Sequence, residues 1–327
     1  MKLGLGIIGL GYIGHVHMRH ALKLKNASLA AVSDISKRAL KNANSFGVKK
    51  TFNSYEQLLK DPEIDAVIIA LPTHLHLQCA RRAAEEKKHI FLEKPIARNV
   101  PEAREIVSVA RKNSVKLMIG YPLRFNSTFC DLKEKITDGT LGDVEIARAT
   151  NISSGPFFHR MQDYAPTPVP EWWFNKELTG GGALVDLGCH MINLLRWYFG
   201  EIRDVKSYLS YRFNLDFEDS ATCLAKFASG TLGIISVGWF SQVLNEQVEL
   251  FGTVQYAKTQ HRAPSRVVAG VQMLVTGRST FFIPHLAELQ YFVNCLERDS
   301  PLSPSGEDGL KDLEAIAQAY KNEISLK

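Results

Sequence analysis

Cysteine is scarce and scattered: Cys79, Cys130, Cys189, Cys223 and Cys295 are an odd number, with no C-x-x-C pair among them. That argues against a disulfide framework and a zinc knuckle, and for a reducing, cytoplasmic compartment. No run approaches ~18 consecutive apolar residues, the length a helix needs to cross a bilayer, so no membrane partner is expected. The start MKLGLGIIGLGYIG is apolar but broken by glycines, and it runs straight into a helical pattern; it does not read as a cleavable signal. Charge of one sign is missing too. Lys and Arg number 39 against 34 Asp and Glu, a net +5. The excess is spread over pairs such as Lys49-Lys50, Arg81-Arg82 and Lys87-Lys88, not gathered in a stripe, so no nucleic-acid partner is expected. Repeats and low-complexity tracts are absent. What is present is ordinary: 45% of residues are hydrophobic, enough apolar surface to offset the ordering entropy of folding. At 327 residues, two domains are expected.

Up to about residue 120 two periods alternate. Short β-rich runs (Leu3–Ile8, Ser28–Val32, Ala66–Ala70, His89–Leu92, Lys116–Ile119) are separated by helical patterns near Gly14–Lys25, Ser36–Phe46, Ser54–Lys60, His76–Lys87 and Pro101–Asn113. Such alternation implies parallel βαβ units with right-handed crossovers. Continuous apolar runs such as Val67-Ile68-Ile69-Ala70 fit strands covered on both faces. A doubly wound Rossmann sheet over residues 1–122 is the expectation. Beyond Tyr121-Pro122 the pattern changes. A helix near Ser127–Thr137 and a strand near Val144–Ile152 precede a Pro-, Gly- and aromatic-rich loop, Ser153–Asn175, and a helix opening in Gly180-Gly181-Gly182. Strand-like segments then recur at Val205–Leu215, Ala221–Ala228, Thr231–Phe240, Gln247–Phe251 and Val267–Phe282, with a hairpin signal at Ser229-Gly230. Helices near His285–Glu297 and Glu307–Ile324 close the chain. Residues 123–327 are read as a substrate-binding and oligomerisation domain of α+β type, with an open-faced, mostly antiparallel sheet.

Gly9-Leu10-Gly11-Tyr12-Ile13-Gly14 follows an apolar strand and opens a helix. In that context Gly9 permits the tight turn, Gly11 lets backbone approach a pyrophosphate and Gly14 allows close helix–strand packing. The N–H groups at the helix start then favour phosphate. An acidic residue is expected ~20 positions after the last glycine, where Asp34 stands. Its carboxylate can accept from both ribose hydroxyls and repels a 2′-phosphate, which favours NAD; Ser33, Lys37 and Arg38 keep NADP open. Leu71-Pro72-Thr73-His74-Leu75-His76 follows the fourth strand and borders the nicotinamide half. Its H-x-H spacing lacks the third ligand of a metal site, so no metal is expected; Leu71, Pro72, Thr73 and His76 are read as cofactor-lining, or Thr73 as a helix cap. His15, His17 and His20 read as ordinary residues of a helix surface.

Glu93-Lys94-Pro95 puts a lysine at a strand end on the cofactor side of the sheet. An ammonium there can donate to a substrate oxygen; taken alone, a solvated strand-end lysine explains it as well. Asp186 and His190 lie four apart in Gly182-Ala183-Leu184-Val185-Asp186-Leu187-Gly188-Cys189-His190, one face of a helix if the segment is helical. A histidine can accept a hydroxyl proton at neutral pH and a carboxylate can orient it. A capping Asp beside a buried His is the plain alternative.

Together, Gly9–Gly14, Asp34, Glu93-Lys94-Pro95 and Gly181-Gly182-x-x-x-Asp186-x-Gly188-x-His190 resemble the glucose-fructose oxidoreductase and inositol dehydrogenase (Gfo/Idh/MocA) family. The resemblance runs over nearly the whole chain, including Tyr121–Asn126 and Gly306–Gly309. Asn193 departs from it, since many members carry Asp three residues after the histidine. The resemblance implies an NAD(P)-dependent oxidoreductase acting on a CH–OH group of a polyol, sugar or nucleotide sugar. In that reading Lys94, Asp186 and His190 are catalytic, and Glu93 joins the cofactor set of Gly9, Gly11, Tyr12, Ile13, Gly14, Asp34, Arg38, Leu71, Pro72, Thr73, His76 and Lys94. Substrate contacts are then Lys94, Arg124, His159, Trp173, Asp186 and His190. Aromatics in the loop, Tyr164, Trp172 and Trp173, either stack on a sugar face or pack the loop. The open sheet implies a homodimer or homotetramer. The rival reading is a non-catalytic NAD(H)- or sugar-sensing regulator on the same scaffold.

Overall fold

The computed structural model describes residues 2–157, 169–241, 244–262 and 283–324. The chain divides into two compact units: the first holds residues up to Tyr121 together with His285–Leu310, and the second runs from Pro122 and resumes at Lys311.

In the first unit six strands, β1 (Leu3–Ile8), β2 (Ala27–Ser33), β3 (Lys50–Phe52), β4 (Ala66–Ile69), β5 (His89–Glu93) and β6 (Leu117–Gly120), form one sheet in the order β3-β2-β1-β4-β5-β6. Every pairing is parallel. The order reverses direction between β1 and β4, which makes the crevice at the carboxyl ends of these strands the place where such a sheet binds ligands. Residues of β4 and β5 from Val67 to Ile69 and Ile90 to Leu92 have no exposed surface, as strands covered on both faces require. Helices α1 (Tyr12–Ala21), α2 (Lys37–Ser45), α3 (Tyr55–Leu59), α4 (His76–Glu85) and α5 (Val100–Lys112) make the crossovers. The start of α5 is written in the sequence: Asn99 accepts the Glu102 N–H at 3.0 Å as N-cap, and Pro101 sits in the first turn, where it forfeits no bond. Strand β3, three residues long, has no counterpart in the sequence reading.

This unit is completed from far downstream. The Ile119 N–H donates to the carbonyl of Pro304, Met118 pairs antiparallel with Ser305, and the Tyr121 N–H donates to the carboxylate of Glu288 on the helix Ile283–Glu297.

In the second unit β7 (Val144–Ile152), β8 (Ile202–Ser210), β9 (Ser220–Phe227), β10 (Leu232–Gly238), β11 (Asn245–Gly252) and β12 (Tyr256–Arg262) form a sheet ordered β12-β11-β7-β10-β9-β8. Four of its pairings are antiparallel, as expected, but β7 and β10 run parallel. The parallel pair is possible because the chain between them is long enough to carry a helix and two further strands back to the same edge. The β9–β10 hairpin turns at Ser229-Gly230, with Gly230 at φ 100°. The predicted strand Val205–Leu215 stops at Ser210; the one at Val267–Phe282 lies outside the described residues. Side chains alternate cleanly. Ala147, Ala149, Cys223, Ala225, Ile235, Val237, Val248 and Leu250 face inward, where the helix α8 (Cys189–Phe199), which follows α6 (Ser127–Thr137) and the single turn α7 (Lys176–Thr179) in the chain, packs with Met191, Ile192, Leu194 and Leu195. On the other face Leu232, Ile146, Phe251 and Tyr256 are paired in one row across four strands, with Leu224 opposite Ile234 beside it. No described helix is long and apolar enough to cross a membrane.

Candidate active site

The glycine loop has the shape that its spacing predicts. Gly9 sits at φ 90°, and a Cβ on it would stand 2.5 Å from the Ala70 carbonyl oxygen. A Cβ on Gly14 would stand 2.0 Å from the Gly9 carbonyl oxygen, so the first turn of α1 packs directly on the end of β1. At Gly11 a Cβ would meet nothing within 4 Å, which leaves backbone open to an approaching group. Tyr12 and Ile13 are half-buried in the first turn of α1. Asp34, at the end of β2, accepts from the Leu10 N–H at 2.6 Å with one oxygen and from the Ser36 N–H at 2.7 Å with the other. The carboxylate is thereby fixed against the glycine loop. Lys37 and Arg38 stand exposed just beyond it, in the first turn of α2. A tight loop, bare backbone at Gly11 and an anchored carboxylate at the end of β2 fit a dinucleotide.

The loop after β4 runs through Leu71 and Pro72 into a short 3-10 turn, Thr73–Leu75, and then α4. Thr73 is buried and caps neither turn nor helix; both starts lack a side-chain cap. His76 is buried as well, its Nε2 2.9 Å from the Leu71 carbonyl and its Nδ1 3.0 Å from the Pro95 carbonyl. At the end of β5 stands Lys94, half-buried between the buried Glu93 and Pro95, with a cis Lys94–Pro95 peptide. His17, read from the sequence as a surface residue, is fully buried, and its Nε2 lies 2.5 Å from Glu93 Oε1. Helical spacing holds the reason: His17 falls on the face of Gly14, Met18 and Ala21, which packs on the sheet. His20 is buried too, and burial lowers its pKa to about 3.

In the second unit the glycine run does not open one regular helix. Lys176–Thr179 forms a single turn closed by Gly180 in the left-handed region, and a π-helical turn over Leu184–Gly188 then leads into α8. Asp186 lies in the wide turn and His190 at the beginning of α8, both half-buried in an otherwise buried stretch. Turns of this kind occur frequently at functional sites. Asp186 accepts from the Trp239 indole at 3.2 Å. Glu218, which no sequence signal singled out, anchors the segment: its carboxylate accepts from the Gly182 and Leu184 N–H groups and from the Tyr320 hydroxyl. A Cβ on Gly182 would overlap the Glu218 carbonyl oxygen at 1.8 Å, so only glycine fits. Burial raises the Glu218 pKa, against the pull of those donors.

Arg124 is buried. Its Nε donates to Asn193 Oδ1 at 2.7 Å, and its guanidinium lies 5.7 Å from the centre of the Trp197 ring. Asn193 in turn donates through Nδ2 to Asp312 at 2.6 Å, and Arg196 closes an ion pair with the same carboxylate. Asp312, whose pKa burial raises against the pull of Arg196, accepts from both Asn193 and Arg196. Asn193→Asp would set two carboxylates at one buried contact, where they must share a proton. The shared proton has a raised folded-state pKa, so the variant is nearest to wild type in acid and loses stability as pH rises. The expected deficit at pH 8 is about 1–3 kcal/mol, and thermal melts at pH 5 and pH 8 should show the larger gap at pH 8.

Trp173 is half-buried in the turn Glu171–Phe174, its ring 5.7 Å from that of Trp172. His159, Arg160 and Tyr164 lie outside the described residues.

Residues 3–121 match the family model of an oxidoreductase family with an NAD-binding Rossmann fold, and residues 129–257 match the Gfo/Idh/MocA C-terminal domain. A myo-inositol 2-dehydrogenase of Thermotoga maritima is 27% identical over 320 residues, covering 93% of this chain and 91% of the relative. Among solved structures, a probable dehydrogenase from the same organism superposes with a TM-score of 0.84 at 25% identity, over 98% of this chain and 97% of the other. The scyllo-inositol dehydrogenase of Lactobacillus casei, solved with NAD(H) and scyllo-inositol, shares the fold with a TM-score of 0.82 at 22% identity, over 99% and 97% of the two chains. With both of its domains matched in order and the glycine loop, Asp34 and the Glu93-Lys94-Pro95 segment on the expected sheet, this chain belongs to the Gfo/Idh/MocA family of oxidoreductases.

Proposed function

We propose that the protein is an NAD-dependent dehydrogenase that oxidises a secondary hydroxyl of a cyclic polyol, an inositol above all, or of a sugar or nucleotide sugar. The observation that carries this reading is Lys94. It is a half-buried cation at the carboxyl end of β5, on the edge of the sheet where the glycine loop and Asp34 also end. The names of the relatives, myo-inositol 2-dehydrogenase and scyllo-inositol dehydrogenase, support the substrate class. A bound nicotinamide cofactor would supply the acceptor for the hydride of the carbinol carbon. Gly9, Gly11, Gly14 and the first turn of α1 hold the pyrophosphate, and Asp34 takes the adenosine ribose, which favours NAD over NADP. Leu71, Pro72 and Thr73 line the other half of the cofactor.

His190 takes the hydroxyl proton, since an imidazole titrates near neutral pH. Lys94 is assigned to donate to the same oxygen and to stabilise the charge that grows on it, the role of a preorganised donor. Asp186, tied to Trp239, orients either His190 or a neighbouring substrate hydroxyl. Arg124, bonded to Asn193 of α8, braces the helix that carries His190. Trp173 and His159 are assigned to the substrate side. The test is NAD⁺ reduction at 340 nm across inositols, free sugars and nucleotide sugars. Turnover with at least one of them is expected; binding of NADH without turnover on any would favour a sensor.

We also assign the row of exposed Leu232, Ile146 and Tyr256 with the half-buried Phe251 to a second copy of the chain, as an apolar sheet face calls for a partner. Light scattering at micromolar concentration is expected to give a dimer or tetramer, and monomer alone would count against it.

A further inference from the structure

The residues on either side of Lys94, Glu93 and Pro95, each meet a buried histidine that the proposed chemistry does not use. On one side His17 Nε2 lies 2.5 Å from Glu93 Oε1, and the other Glu93 oxygen accepts the Lys94 backbone N–H at 3.3 Å. His17 has no exposed surface and packs edge-on against Phe91, their centres 5.1 Å apart. Gly120, paired with Glu93 across the sheet, keeps the space open: a Cβ there would stand 3.1 Å from Oε1. On the other side His76 Nδ1 lies 3.0 Å from the Pro95 carbonyl, while its Nε2 lies 2.9 Å from the carbonyl of Leu71. Burial lowers the His76 pKa, so the ring is neutral at pH 7 and has a single N–H to give. That proton bonds either the cofactor loop at Leu71 or the lysine loop at Pro95.

The two histidines also share an origin. His17 belongs to α1, which starts at the glycine loop, and His76 to α4, which starts at the Leu71–Thr73 loop. Residue 93 therefore meets His17 through its side chain and residue 95 meets His76 through its carbonyl, each histidine on a helix that begins at a cofactor loop. Packing alone would ask only for apolar residues of similar volume, whereas a buried imidazole has to keep a hydrogen-bond partner. We propose that His17 and His76 are positioning residues that fix the direction in which Lys94 presents its amine and tie that direction to the two cofactor loops. This rests on the reading of Lys94 as the group that serves the substrate oxygen.

The experiment uses the full chain, with His17→Ala and His76→Ala made singly and each combined with Lys94→Ala. With NAD⁺ and the faster of myo-inositol and scyllo-inositol, each single variant is expected to lower kcat about 10- to 100-fold, as a misplacement near 1 Å does. The KM for NAD⁺ should change much less. In the Lys94→Ala background the same substitutions should lower kcat by no more than about 3-fold, because histidines that act through Lys94 have nothing left to position. Equal losses in both backgrounds, or unchanged kcat in the singles, overturn the proposal. A second readout needs no turnover. After reductive methylation with ¹³C-formaldehyde, the Lys94 signal of the protein without cofactor, identified by its absence in Lys94→Ala, should stand apart from those of exposed lysines. It should fall among them in His17→Ala and His76→Ala, and an unmoved signal overturns the proposal.

Full turnover in Lys94→Ala would refute the catalytic reading of Lys94, and the methyl signal would still decide whether the histidines hold it. It decides alone if neither inositol turns over. Should the alanine variants fail to fold, His17→Gln and His76→Gln, which keep an amide N–H₂ donor and a carbonyl acceptor, go through the same comparison with an expected loss of about 3- to 10-fold.

Discussion

Alanine at Lys94 or at His190 is expected to cut turnover of NAD⁺ with a polyol by about two orders of magnitude or more, with NADH still bound. Positioned acid–base catalysis contributes about 10²–10⁴-fold, and removal of one preorganised donor to a developing oxyanion costs about 10²–10³-fold. The two losses are of one size but differ in kind. Lys94→Ala removes a charge that answers the growing negative charge on oxygen, and His190→Ala removes the proton acceptor. Neither touches the groups that shape the nucleotide crevice. The Asp34 carboxylate is fixed by the Leu10 and Ser36 N–H groups, and the glycine loop by its own close packing on Ala70. A fluorescence titration with NADH should therefore give dissociation constants within about 3-fold of wild type, a span of less than ~1 kcal/mol. Near-normal turnover in both variants would refute the assignment of the two residues.

Gly14→Ala is expected to do the opposite and remove cofactor binding. The new methyl carbon would start 2.0 Å from the Gly9 carbonyl oxygen and 3.3 Å from Ala70 Cβ. The first obstacle is backbone, which cannot swing aside as a long side chain can. Helix α1 has to back away from β1, and the N–H groups at its start move with it, out of reach of the pyrophosphate they are meant to meet. NADH affinity should fall by about two orders of magnitude, roughly 2.7 kcal/mol. Circular dichroism and a melt of the variant would show whether the fold survives. An affinity within a few-fold of wild type would mean that the pyrophosphate is held elsewhere.

The sheet of the first unit could be read from the chain because its signals are local. Each strand is a short apolar run, the crossovers α1, α2 and α5 open with a glycine or a side-chain cap at Gly11, Ser36 and Asn99, and parallel order follows from alternation alone. Strand β3 escaped because three residues, Lys50–Phe52, carry no period. The parallel partnership of β7 with β10 escaped for another reason: pairing between distant strands is decided by the whole fold, and neither segment carries a mark of its neighbour. The site divides in the same way. Gly9, Gly14 and Asp34 are fixed by spacing along the chain, and the structure gives each the local geometry that its spacing predicts. Asp186 was legible as a residue but not its setting, since a π-helical turn cannot be told from an α-helical one by composition. Glu218 and Asp312 work by satisfying backbone and arginine groups far away in sequence, and nothing beside them announces it. His17 was within reach: its spacing from Gly14, Met18 and Ala21 places it on the packed face, and a buried histidine needs a partner.

The Pro304 carbonyl, Ser305 and Glu288 that finish the far edge of the nucleotide-binding sheet at β6 bear on how the protein is made. A ribosome adds about 5–20 residues per second, so the first 121 residues emerge well before the strip that seals them. Through that interval the Ile119 and Tyr121 amides lack the partners they have in the folded protein, and the flank of β6 that Ser305 pairs with stays open. A gene cut after Tyr121 would freeze this intermediate and yield a sheet with one side left bare.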